Sequence, residues 1–138
     1  MLRWAIKQEK TPVALRVPTG EVVHTTEQVD AEYACEPQYK VAHRGSKVAV
    51  VAAGSFYQKG ESVVGLLAEK GIDSTLINPR YLNDVDAATL DALKSDHQLV
   101  VTLEDGCKDG GFGERIAAYY GTSDMKVLVC GVKKGLYD

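Results

Sequence analysis

The sequence predicts an α/β domain: a three-layer α/β/α arrangement on a mainly parallel five-stranded sheet with one antiparallel edge strand. Three observations predict it. Apolar runs rich in valine recur at "KVAVVAAG", "HQLVVTLEDG" and "MKVLVCG", and their β-branched density excludes an all-helical bundle. Between them lie stretches whose apolar residues follow helical spacing. The connections are short, and alternating strands and helices with right-handed crossovers build a parallel sheet between helical layers.

From residue 38 onward the elements follow in order. "YKVAHRGSKVAVVAAG" reads as two strands around "RGS", a hairpin in which 39–43 pairs antiparallel with 47–53. The second run is almost wholly apolar, as a strand covered on both faces must be. "SFYQKGESVVGLLAEKG" places Val63, Val64, Leu66 and Leu67 on one helical stripe, with Ser55 as cap and Gly71 as stop. "IDSTLINPRY" gives a strand ending before Pro79, and Asp86 caps a helix that turns Leu90 and Leu93 inward. "HQLVVTLEDG", "GERIAAYYG" and "MKVLVCG" complete the pattern as strand, helix and strand.

Charge and composition narrow the function. Hydrophobic residues make up 45% and charged residues 25% of the 138, so one globular core is expected rather than a disordered or fibrous chain. The net charge of -3 gives no basic footprint, which argues against nucleic acid as a partner. No apolar stretch approaches the roughly 20 residues that cross a bilayer, and "LRWAIKQEK" lacks the apolar centre of a signal peptide. A cytoplasmic protein without a membrane partner is expected. Cys35, Cys107 and Cys130 have no C-x-x-C spacing and read as reduced thiols, with Cys130 in the core. His24, His43 and His97 show no ligand spacing.

The glycine cluster "GGFGER" invites comparison with phosphate-binding loops. It follows the third core strand rather than the first, and it lacks the last glycine of G-x-G-x-x-G. "AAGSFYQKGES" misses the P-loop pattern, because Lys59 precedes Gly60 instead of following it. Asp105, Asp109 and Glu114 crowd the helix start against only Lys108 and Arg115, so they fill the role an anionic ligand would take. Gly110, Gly111 and Gly113 are therefore expected to make a structural turn, with positive φ and close approach to a neighbour. Glu104 and Asp105 end a strand at the carboxyl edge and point to opposite faces. Glu104 suits a backbone amide or Arg80 as partner, and Arg80, Tyr81 and Glu104 on the same edge are candidates for an interface.

Residues 1–37 do not fit the repeating scheme. "MLRWAIKQEK" has a weak helical pattern through Leu2, Ala5 and Ile6, "TPVALRVPTG" is a short extended run, and the rest is polar. The expected division is 1–20 as the tail of a preceding domain, 21–37 as linker, and 38–138 as the α/β domain.

Taken in order, "TPVALRVPTG", "GSKVAVVAAGS", "GIDSTLINPRYLNDVD", "HQLVVTLEDG" and "GGFGERI" resemble the C-terminal part of the 1-deoxy-D-xylulose-5-phosphate synthases, thiamine-diphosphate enzymes of the transketolase family. The resemblance implies a parent enzyme that condenses pyruvate with glyceraldehyde 3-phosphate, losing CO2, for isoprenoid, thiamine and pyridoxal synthesis. It implies thiamine diphosphate and Mg2+ in the full enzyme, held by an N-terminal domain through G-D-G, where this chain has only "EDG" at 104–106. The activating glutamate belongs to a middle, pyrimidine-binding domain of which residues 1–20 would be the tail.

No catalytic, cofactor-binding or metal residue is thus expected here, and no cofactor bound to this piece alone. Its implied partners are the remaining thiamine-binding domains and a second copy in a homodimer. Arg16 in "RVPTG" matches the first arginine of the family's R-Y-P-R-G segment, which implies a contact with the substrate phosphate, while Thr19 replaces the second. Asp84 stands where relatives usually have proline. "GVKKGLYD" stops where relatives continue into a final helix, so an uncovered apolar face is expected. A free-standing interaction or regulatory module, the C-terminal domain of another transketolase-like enzyme, and a flavodoxin-like nucleotide binder remain alternative readings.

Overall fold

The valine-rich run at 47–52 sits where its composition demands, in the middle of a sheet. The computed structural model describes residues 1–17, 30 and 32–135, and its contacts divide the chain into two units, Met1–Glu36 and Pro37–Asp138. In the second unit, β1 (Lys40–His43), β2 (Lys47–Ala52), β3 (Thr75–Asn78), β4 (His97–Cys107) and β5 (Lys126–Val132) form one sheet in the order β1-β3-β2-β4-β5. β2 pairs in parallel with both β3 and β4, and β4 with β5; β1 alone runs antiparallel.

The expected antiparallel edge strand is β1, but its partner differs from the expected hairpin. β1 pairs with β3, with Val41 opposite Ile77, and not with β2. The reason is competition for β2's two edges. Val50 and Val51 are fully buried, and β3 and β4 supply apolar neighbours on both sides, whereas β1 is exposed along most of its length. A strand with one wet face belongs at the rim.

Side-chain alternation along the strands separates two faces. Ala49, Val51, Ala53, Ile77 and Val100 pack with Leu90 and Leu93 of α3 (Ala87–Leu93) and with Phe112, Ile116 and Tyr120 of α4 (Phe112–Tyr120). Val50, Ala52 and Leu76 face α2 (Tyr57–Glu69), where a Cβ on Gly60 would lie 2.6 Å from the Ala52 Cβ. One face carries α2 and the other α3 and α4, which makes the three layers.

Helix ends follow local chemistry in part. Ser55 does not cap α2; it lies in a 3-10 turn over Gly54–Phe56, and its hydroxyl donates to Asp105 Oδ2 at 3.0 Å. Leu66 is 58% exposed rather than part of the buried stripe, because at 3.6 residues per turn it stands about 120° around the helix from Gly60. Cys130, expected in the core, is only half-buried. His97 is a buried structural histidine, while His24 lies outside the described residues.

Asp86 does cap α3. Its carboxylate accepts from Thr89 N at 3.0 Å and Thr89 Oγ1 at 2.6 Å, and also from Tyr39 N at 2.9 Å. Desolvation acts to raise its pKa, but these hydrogen bonds outweigh it and hold the carboxyl below its ordinary range. A lowered folded-state pKa contributes stability that is present above the unfolded value and is lost as pH falls through the folded one. Asp86→Ala is therefore expected to cost about 1–2 kcal/mol at neutral pH, with the difference from the parent shrinking below about pH 4. Urea unfolding across that range measures it.

The first unit holds α1 (Leu2–Ala5), a single turn with no buried residue. Trp4 packs edge-on against Tyr33 with ring centroids 5.7 Å apart. Residues 11–17 form no strand. The linker expectation for 21–37 falls largely on residues outside those described, as does Thr19.

Candidate functional site

The strand order reverses direction between β2 and β4. From β2 the chain moves to β3 through α2 on one face, and from β4 it moves to β5 through α4 on the other. The carboxyl ends of β2 and β4 thus mark the switch point at which open α/β sheets bind ligands. The 53–56 turn follows β2 there, and residues 104–113 lead from β4 into α4.

A buried carboxylate dominates this edge. Glu104 is 4% exposed, and its Oε1 accepts from Gly113 N at 2.7 Å while its Oε2 accepts from Phe112 N at 3.1 Å. These are the amides at the start of α4, so the anion at the positive end of the helix is the protein's own. Glu114 completes the turn by accepting from Gly110 N at 2.7 Å. Both Glu104 oxygens are engaged by amides, which is one of the two partners the sequence offered, and its burial inside the α/β unit sets it apart from Arg80 and Tyr81 as an interface candidate.

Of the three acids expected at the helix start, only Glu114 bonds there. Asp105 instead accepts from Ser55 of the turn after β2, and Asp109 is exposed. Alternation explains the exchange: Glu104 shares the α4 face with Val100 and Thr102, and Asp105 is turned the other way. Arg115 does not offset the acids either, since its Nη1 donates to the carbonyls of Leu82 and Asn83.

The glycines divide by function within the turn. Gly110 takes φ 75°, in the left-handed region, with open space where a side chain would stand. Gly111 and Gly113 allow close approach instead: a Cβ on Gly111 would lie 2.1 Å from Cys107 O, and one on Gly113 would lie 2.4 Å from Thr102 Oγ1. Cys107 itself is exposed.

Arg80 and Tyr81 are half-buried on the strand-to-helix loop after β3. Arg80 adopts φ 58°, a conformation that costs a non-glycine residue about 1–2 kcal/mol, and its amide donates to Asn78 Oδ1 at 3.2 Å. Arg16 lies in the first unit and is exposed. Composition and spacing did not single out a second polar network at the opposite edge: Gly45 N donates to Thr75 Oγ1 at 2.9 Å, and Thr75 Oγ1 meets His97 Nε2 at 2.8 Å. His97 Nδ1 lies 2.6 Å from Asp96 Oδ1, which Arg44 also holds. Its members sit far apart in sequence, and only the sheet order brings them together.

Residues 38–133 match the model of the transketolase C-terminal domain. The chain is 32% identical over 127 residues to a 1-deoxy-D-xylulose-5-phosphate synthase of Clostridium beijerinckii, covering 91% of this chain and 20% of the relative. A synthase of that name from Clostridium botulinum is 34% identical, covering 93% and 21%, and one from Saccharopolyspora erythraea 38% identical, covering 85% and 18%. The chain thus spans about a fifth of the length of these relatives, and matches their C-terminal part. Among solved structures, a split-gene transketolase in an inactive β4 tetramer superposes with TM-score 0.73 at 24% identity, covering 81% of this chain and 37% of that one. That likeness shows the fold.

Proposed function

Since the chain belongs to the transketolase C-terminal domain family, we propose that it is the C-terminal portion of a 1-deoxy-D-xylulose-5-phosphate synthase, acting within the whole enzyme and inactive alone. The observation that carries this reading is the likeness to the C-terminal part of the synthases over nine-tenths of the chain. The whole enzyme would join pyruvate to glyceraldehyde 3-phosphate with loss of CO2, a transferase reaction for which thiamine diphosphate supplies the carbanion chemistry.

The described residues do not fit that cofactor. The amides at the start of α4 that would cradle a pyrophosphate are taken by Glu104. Among the described residues, no group of three or more His, Cys, Asp or Glu side chains could hold a metal ion. Thiamine diphosphate and Mg2+ therefore belong, in this proposal, to domains outside this sequence. Among the described residues no helix is long and apolar enough to cross a membrane.

In the proposed role the α/β unit is a supporting lobe. It backs the active-site domains, closes over the substrate end and contributes to a homodimer contact, with Arg80 and Tyr81 at the interface. Residues 1–20 would be the tail of the pyrimidine-binding domain and 21–37 the linker, with Arg16 offering a guanidinium to the substrate phosphate.

Reconstitution tests this. The chain is mixed with a relative's synthase truncated before the matching segment, thiamine diphosphate, Mg2+, pyruvate and glyceraldehyde 3-phosphate are added, and CO2 is measured. Turnover in the mixture and in neither part is expected, with Arg16→Ala raising the KM for the phosphorylated substrate on the order of tenfold. Turnover by the chain alone, or a silent mixture of folded parts, would reject the reading.

A further inference from the structure

At the amino edge of the sheet, opposite the switch point, lies a cleft of about 780 Å3. Lys47, Lys94, His97, Asp124 and Lys126 line it, with Leu99 among its apolar surfaces. The three lysines come from separate segments: the first residue of β2, the C-cap of α3 and the first residue of β5. They converge because those elements begin or end at one edge. In a chain of net charge -3, three cations and one carboxylate around one concavity form a local field of opposite sign, which raises the local concentration of anions.

The neighbouring groups leave two of these cations available. Lys94 Nζ is held by Asp91 at 2.6 Å and lies 5.2 Å from the Tyr119 ring centroid. Lys47 and Lys126 have no ion-pair partner among the described residues. The nearby Asp96 carboxylate does not neutralise them, because Arg44 and His97 already hold it.

The wall is fixed as well as charged. The Lys47 backbone stands at φ 67°, tied by its amide to Asp96 O at 2.8 Å. With the Nδ1 proton of His97 on Asp96, Nε2 accepts the Thr75 hydroxyl proton, and Thr75 Oγ1 accepts from Gly45 N. Every member of that chain is satisfied, so the ring is locked in place behind the lysines.

We propose that this cleft binds a small phosphate-bearing molecule, Lys47 and Lys126 taking the phosphate oxygens and the apolar lining taking the carbon body. The volume suits a small-molecule ligand, and a lysine ammonium serves phosphate as a point charge.

The test titrates inorganic pyrophosphate into the whole chain at low ionic strength, read by calorimetry and by amide chemical shifts. Saturable one-to-one binding is expected, with shifts clustered at 47–48, 97–99 and 124–126. Lys47→Gly combined with Lys126→Gln should weaken it on the order of tenfold or more. Glycine suits the left-handed backbone at 47, so an unchanged unfolding midpoint checks that the double variant is folded. Absence of saturable binding, shifts centred on 104–113, or equal affinity in the double variant would overturn the site.

Discussion

Replacing Glu104 with alanine is expected to lower the stability of the α/β unit by about 3 kcal/mol. The carboxylate accepts two backbone amides in a site it scarcely shares with water. Each hydrogen bond to a charged acceptor contributes about 1.5–3 kcal/mol, and removing the side chain leaves both donors buried at the head of α4. Relief from keeping a carboxylate out of water offsets part of that sum. Glu104→Gln separates the effects, since it preserves shape while presenting one NH2 to an amide donor, and about half the alanine loss is expected. Urea unfolding with an unchanged m-value measures both, and amide exchange at Phe112 and Gly113 should accelerate in the alanine variant. A loss under about 1 kcal/mol would mean that other groups satisfy those amides.

That carboxylates close the glycine loop was legible in the sequence, as was a backbone amide for Glu104; that its amides are those at the start of α4 was not. Crowded acids before a helix say that an anion is already present, and the alternation rule says that Glu104 and Asp105 part company. Apolar residues stand on both faces of β4, Val100 on one and Leu99, Val101 and Leu103 on the other, so neither rule tells which face carries α4. The layers were readable because 47–53 is apolar enough to need shelter on two sides and helical spacing recurs between the valine-rich runs. The partner of β1 was not readable, since "RGS" suits a tight hairpin as well as it suits a passage to another strand. What decides is that β3 and β4 take both edges of β2, while Gly45 closes against Asp73 and Ser74, a contact remote in sequence. The Lys47–Lys126 cleft was hidden for the same reason: its lysines become neighbours only through the strand order β2-β4-β5.

Gly45→Ala should test that remote contact directly, at an expected cost of about 3 kcal/mol. The new methyl would lie 2.3 Å from Asp73 O and 2.6 Å from Asp73 C. Both are backbone atoms, so no side chain can rotate out of the way. Either the 44–46 connection lifts or the start of β3 moves. Lifting it breaks the bond from Gly45 N to Thr75 Oγ1 and the 2.8 Å bond from Ser46 N to Asp73 O. Thr75 then loses one partner of the hydrogen-bond chain that positions His97. Gly71→Ala supplies the comparison, because Gly71 has φ 77° but open space around a Cβ; only the left-handed conformation is penalised there, by about 1 kcal/mol. Denaturant unfolding should therefore rank Gly45→Ala well below Gly71→Ala in stability. Equal losses would show that the close approach at Gly45 relaxes without breaking its hydrogen bonds.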